Sequence, residues 1–149
     1  METQTHGSAV ITLAEARVIM DAALSFAREL KLVMSIVIVD TAGNVVSSAR
    51  MDGASISTIR CAEGKAFAAA LFRTTTVELG ELAKTRPDRY FGIMSMYPGK
   101  VYLVGGGQPL MVDGVMFGAV GIAGLPNFVD DQAGAAGIAA WMKFRETLG

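Results

Sequence analysis

Lys65 is the side chain with the most pointed chemistry in this sequence. At helical spacing it shares a stripe with Cys61, Ala62, Ala69 and Phe72, which sets an ammonium among small apolar neighbours. Desolvation there would make the amine a better base or nucleophile, whereas an anionic ligand would hold it charged. The alternative is snorkelling, with the stem on the core and the head in water. Arg50 and Asp52 flank Met51 at the end of an apolar run, and residues two apart in a strand share a face. Arg50 could grip a carboxylate in a bidentate fork while Asp52 orients it or accepts a proton, or Asp52-Gly53 could simply turn the chain. Gly105, Gly106 and Gly107 are consecutive. Backbone N–H groups without side chains can form a concave site for a carboxylate or a developing oxyanion, and the same triplet would serve as a bulge that bends a strand. No Lys-Ser/Thr or strand-turn-helix pattern follows the triplet, which argues against a phosphate loop. Asp131 could cap a helix or project into the same cleft. These residues predict Lys65 and Asp52 as catalytic groups, and Arg50, Gly105, Gly106, Gly107 and Asp131 as substrate-binding groups.

Other candidates read as structural. Glu78 and Glu81 face one way on a helix, but two carboxylates without a nearby histidine make a poor transition-metal site, so no metal is expected. Cys61 is expected to be a small buried hydrophobe. His6, the only histidine, lies in a polar N-terminal stretch and is badly placed for a catalytic dyad or a well-held axial haem ligand. Tyr90, Phe91 and Tyr97 would suit either a lid over a flat ligand or the anchoring of a loop.

The elements that must position these groups are marked by caps and periodicity. Thr12 and Glu15 fit a capping box, and Ala16, Ile19, Met20, Ala23, Ala27 and Leu30 form the apolar stripe of a helix ending near Lys31. Ser35–Val39 and Val45–Ala49 flank the turn residues Asp40–Asn44, predicting an antiparallel hairpin. A helix is expected from about Ser57 to Phe72. A second capping box, Thr75 to Glu78, opens a short helix through Lys84 that Pro87 stops. The segment from Tyr90 to Gly99 is expected to be irregular. Apolar Val101–Val104 leads into the glycines and a second hairpin turning at Asp113-Gly114. The last helix is expected from Val129 to Arg145, with Asp130 and Asp131 favouring its positive end. Strands joined as hairpins predict an α/β (α+β) domain with an antiparallel sheet of about five strands and helices on its faces.

Composition sets the remaining bounds. The 149 residues amount to about one domain, taken as 1–149 with residues 1–10 as a tail. With 13 basic and 14 acidic side chains intermixed, no basic field exists to attract nucleic acid or an acidic membrane. The longest uncharged stretch, Gly114–Val129, is interrupted by glycines and Pro126 and is too short to span a bilayer. No secretory pattern is seen at the N-terminus and a single cysteine precludes an internal disulfide, so a cytoplasmic location is expected. A hydrophobic fraction of 52% predicts that some apolar surface closes against other copies, as a homo-oligomer.

From Leu13 to Trp141 the sequence resembles the GlcG/HbpS family, which includes the C-terminal domain of PduO. The resemblance rests on ordered blocks: Val39–Asn44, Arg50–Ala54, Lys65-Ala66 with Phe72-Arg73, Glu78–Leu82, Gly105–Leu110, Asp113-Gly114 and Gly118–Gly121. It implies a profilin-like three-layer α/β/α fold with a five-stranded antiparallel sheet, and homo-oligomers. Two functions follow. The first is a small cofactor-independent enzyme acting on a carboxylated, aromatic metabolite, similar to hydroxylaminobenzoate lyases. The second is a non-catalytic module binding haem or another tetrapyrrole, as in HbpS and PduO. The lone tail histidine favours the first and the family's habit the second. Either way the partner is a small molecule.

Overall fold

The Thr12 capping box forms as its spacing predicts. Thr12 Oγ1 accepts from Glu15 N–H at 3.1 Å, and Glu15 Oε1 accepts from Thr12 N–H at 3.1 Å, opening α1 (Leu13–Glu29). The computed structural model describes residues 9–126 and 129–148, so His6 lies outside the described residues. After α1 come β1 (Ser35–Val39), β2 (Val45–Arg50), α2 (Thr58–Phe72), α3 (Thr76–Thr85) and two single-turn helices, α4 (Pro87–Tyr90) and α5 (Ile93–Met96). The hairpin of β3 (Gly107–Val112) and β4 (Val115–Ala123) follows, and α6 (Val129–Thr147) ends the chain.

Among the described residues the strands form one antiparallel sheet of four, in the order β2-β1-β4-β3. The expected fifth strand is absent there. Apolar Val101–Val104 does not pair; instead Tyr102 N–H donates to the Gly64 carbonyl at 3.2 Å, and Leu103 is buried with Ala68, Leu79 and Ala83 between α2 and α3. Tertiary packing has overridden strand propensity. Strand β3 begins only after the glycines and carries Pro109, which a ladder tolerates because β3 is an edge strand. Pro87 does more than stop α3, since it opens α4 from the first helical position.

The two sheet faces are covered differently. Ile36, Ile38, Val120 and Ile122 face α1 and α6, where Trp141 is fully buried and Gly137 brings α6 close to Ile19. Val37, Val39, Ala119 and Ala123 face α2, whose contact residues are the alanines Ala62, Ala66, Ala69 and Ala70. Small residues let α2 lie directly on β4. A Cβ on Gly121 would collide with the Ala62 carbonyl and stand 2.5 Å from Ala66 N. That close approach fixes Lys65, the next residue but one after Glu63 on the helix, at the end of the sheet where the glycine triplet enters.

Glu15 has a second task beyond the cap. Its Oε2 accepts from Trp141 Nε1 at 2.8 Å and from Arg145 Nη1 at 2.9 Å, tying α1 to α6. Burial pushes its carboxyl up, but the hydrogen bonds from Trp141, Thr12 and Arg145 together outweigh burial and hold it below the usual carboxylate range.

Candidate functional site

Lys65 is buried, at 3% relative exposure, and does not snorkel. Its Nζ donates to the Ile122 carbonyl at 2.8 Å and to Asp130 Oδ2 at 3.0 Å. Asp130 stands in the first turn of α6, itself buried, and its Oδ1 accepts from Leu125 N–H at 2.9 Å. An ammonium and a carboxylate leave water together here, so each compensates the other's desolvation. Burial nonetheless pushes the Asp130 carboxyl up, against the pull of the Lys65 ammonium and the Leu125 N–H.

The neighbouring Asp131 meets the glycine triplet. Its Oδ1 accepts from Gly106 N–H at 3.0 Å, and its backbone carbonyl accepts from Gln108 Nε2 at 2.7 Å. Burial raises the Asp131 carboxyl too, opposed by the Gly106 bond and by Lys65. Gly107 N–H donates to Thr76 Oγ1 at 2.7 Å. The triplet is therefore glycine because of what touches it. Gly106 has φ +128°, and a Cβ there would strike the Ile122 carbonyl and come within 2.9 Å of the Lys65 side chain; a Cβ on Gly105 would stand 3.0 Å from Asp131 Oδ2. Of the Gly105, Gly106 and Gly107 amides expected to cradle an anion, those of Gly106 and Gly107 donate within the protein.

Beside this network runs a groove of about 470 Å³ between α3, the 103–105 segment and the start of α6. Val77, Leu103, Val104 and Leu125 give it apolar walls, and Thr76, Gly80, Gly105, Asp130 and Asp131 complete the lining. Lys84 and Glu81 stand at its rim, paired at 3.0 Å but largely exposed, so the pair adds little stability.

Of the residues singled out in the sequence, the structure brings together Lys65, Gly105, Gly106, Gly107 and Asp131. It does not bring Arg50 and Asp52 to them. Arg50 ends β2, at the edge of the sheet opposite β3, three strand spacings or roughly 14 Å across. Arg50 and Asp52 line a separate groove of about 370 Å³ with Arg28 and Leu24. One cleft joining all seven residues is thus not formed. Glu78 accepts from Thr74 Oγ1 at 3.1 Å rather than from the cap N–H of Thr75, so the second capping box is half made. Cys61 is half-buried and free. Tyr90 packs on Phe72 and Tyr97 on Phe67, with ring centroids 5.7 and 5.5 Å apart, so both anchor the 90–97 segment rather than forming a lid. Asp130 and Thr76 were not foreseen as site residues. Nothing local marks Asp130 except its place in a helical first turn, and Thr76 stands beside the capping Thr75.

The comparisons with known proteins agree with this architecture. The chain is 30% identical over 116 residues to a 15.0 kDa protein of the dhaT-dhaS intergenic region of Citrobacter freundii, covering 78% of this chain and 81% of that one. It is 34% identical over 103 residues to the corrinoid adenosyltransferase PduO of Salmonella typhimurium, covering 69% of this chain but only 30% of PduO. A crystal structure of a PduOC–haem complex superposes with a TM-score of 0.79 at 30% identity, covering 88% of this chain and 94% of that one. The profile of the family described as haem degrading protein HbpS-like matches residues 11–139, and the chain belongs to that family.

Proposed function

We propose that this protein is a small-molecule-binding module of the HbpS/PduO type whose ligand is a tetrapyrrole, seated in the groove between α3, the 103–105 segment and α6. The observation that carries the reading is the groove itself. Its volume of about 470 Å³ lies within the range of cofactor-sized sites, roughly 300–1,000 Å³. Val77, Val104 and Leu125 offer apolar contact to a flat macrocycle, and Lys84 offers a cation to a peripheral acid group. Family membership and the haem bound to PduOC support the same ligand class.

The donor set qualifies how haem would be held. Haem iron is ordinarily ligated by His, Cys, Met or Tyr. Among the described residues lining the groove there is none of these; its polar side chains are the Glu81, Asp130 and Asp131 carboxylates, the Thr76 hydroxyl and the Lys84 amine, and Asp130, Asp131 and Thr76 already accept hydrogen bonds within the protein. The residues present fit the macrocycle and its acid groups better than they fit iron. Affinity therefore rests on the ring, and a metal-free porphyrin binds nearly as well as haem. The lyase expectation gives way to this reading because the Lys65 amine and the Gly106 and Gly107 amides are already engaged, and Arg50 and Asp52 lie elsewhere.

The test is a titration of the protein with haemin and with protoporphyrin IX, followed by the Soret band and by porphyrin fluorescence. Both are expected to saturate with affinities within about tenfold of each other. Val104→Glu, at an exposed wall position, is expected to weaken both at least tenfold, about 1.4 kcal/mol, while leaving the fold intact. Absence of saturation, or binding indifferent to Val104→Glu, would overturn the assignment. A preference for haemin greater than a hundredfold would show that iron ligation carries the affinity.

A further inference from the structure

A third pocket lies along α2. Arg60, Glu63, Gly64 and Phe67 recur at three- and four-residue spacing along one helix face, closed by the 98–100 loop and by the Gly43 turn between β1 and β2. The pocket holds about 290 Å³ and shares no lining residue with the groove described above. Two glycines make it possible. A Cβ on Gly64 would stand 2.9 Å from Tyr102 Cβ, so glycine lets the 98–102 segment lie against the helix. Gly43, at φ +85°, brings its turn onto the Phe67 ring, where a Cβ would come within 2.6 Å.

The charges here run against local helix preference. Arg60 stands in the first turn of α2, where the positive end of the helix dipole disfavours a cation, and that turn has no acidic residue to offset it. Across the pocket Lys100 Nζ is held 5.6 Å from the Phe67 ring centroid. The ion pairs formed among the described residues engage Lys65, Lys84, Arg86 and Arg145, and neither Arg60 nor Lys100. With Glu63 as the one acid, Arg60 and Lys100 leave the lining one positive charge in excess. Positions where a sequence departs from its local rules are where function is to be sought.

We infer that this pocket binds a small organic monoanion, its acid head between Arg60 and Lys100 and its apolar body against Phe67. A single negative charge neutralises the lining, and the half-buried ring supplies the apolar contact that an inorganic ion could not use. Glu63 can accept a hydrogen bond from a hydroxyl or amino group on the ligand.

Benzenesulfonate tests this, because it carries one charge at any working pH. Amide chemical shifts are followed during titration of the intact protein, with neutral benzenesulfonamide and ring-free methanesulfonate as controls. Saturable shifts centred on Gly43, Gly64, Gly99 and Lys100 are expected with benzenesulfonate, and at least fivefold weaker binding of each control. Arg60→Gln and Lys100→Gln are each expected to weaken benzenesulfonate about five- to tenfold, as loss of one partly exposed charge-assisted contact implies. Lys84→Gln, in the other groove, is expected to leave it unchanged. Shifts centred elsewhere, equal binding of the sulfonamide, or affinity untouched by both pocket substitutions would overturn the inference. Because the two sites share no residue, failure of porphyrin binding leaves this result independently readable.

Discussion

Replacing Lys65 with methionine keeps the length of the stem and removes the ammonium. Two hydrogen bonds go with it, to the Ile122 carbonyl at 2.8 Å and to Asp130 at 3.0 Å. Asp130 is then left at 5% exposure with the Leu125 N–H as its remaining partner among the described contacts. Breaking a buried pair from one side costs about 3–5 kcal/mol, because the surviving charge stays buried without compensation. For a chain of this length each kcal/mol lowers the melting temperature by roughly 2–4 °C, so a fall of roughly 10 °C is expected by calorimetry. The loss has a sign in pH. The orphaned carboxyl titrates higher in the folded state than in the unfolded one, so its contribution is present below the unfolded value near 3.8 and disappears as pH rises through the folded value. The variant should therefore lag the parent least in acid and most at neutral pH. Adding Asp130→Asn removes the stranded charge while keeping an acceptor for Leu125, and is expected to recover about 2 kcal/mol in a double-mutant cycle. If the single substitution costs under 1 kcal/mol, or the two costs add within about 0.5 kcal/mol, the pair is not the coupled element described here.

Two further outcomes follow from other contacts. Glu15→Gln removes the charge that Trp141, Thr12 and Arg145 address, and urea denaturation at neutral pH is expected to show a loss of about 2–3 kcal/mol. Because the folded Glu15 carboxyl titrates below its ordinary 4.5, its contribution is present above that value and lost as pH falls through the folded one; the variant is expected to show a flatter acid limb, and an unchanged limb would refute the assignment. Gly121→Ala drives a methyl into the Ala62 carbonyl and Ala66, so α2 must lift from β4; a loss of about 3 kcal/mol is expected by thermal melting, and a loss below about 1 kcal/mol would show that the helix yields freely.

Features carried by near neighbours in the chain were legible from residues alone. The Thr12 box, the β1–β2 hairpin and the long helices are set by caps, turns and periodicity, and each formed close to its expected bounds. The apolar stripe around Lys65 left burial and snorkelling open, and the structure buries it. Its partner could not be read from the chain, since Asp130 is 65 positions away and its own surroundings in the chain suggest only helix initiation. The fifth strand failed for the same kind of reason. Val101–Val104 has strand composition, but the acceptor that captured Tyr102 is the Gly64 carbonyl on α2, and the burial that captured Leu103 belongs to α2 and α3. The glycine triplet is a place of close approach. What approaches is the protein's own Lys65, Thr76 and Asp131, which composition cannot distinguish from a ligand.

The ties around that triplet bear on timing as well as shape. Gly106 and Gln108 are held by Asp131, Gly107 by Thr76, and Asp130 by Lys65 and Leu125, so three walls of the groove are joined before any ligand arrives. A site assembled in advance has no closure step to wait for. Its observed association rate should rise linearly with ligand concentration without a plateau, and differences in affinity among ligands should be carried by how slowly each one leaves.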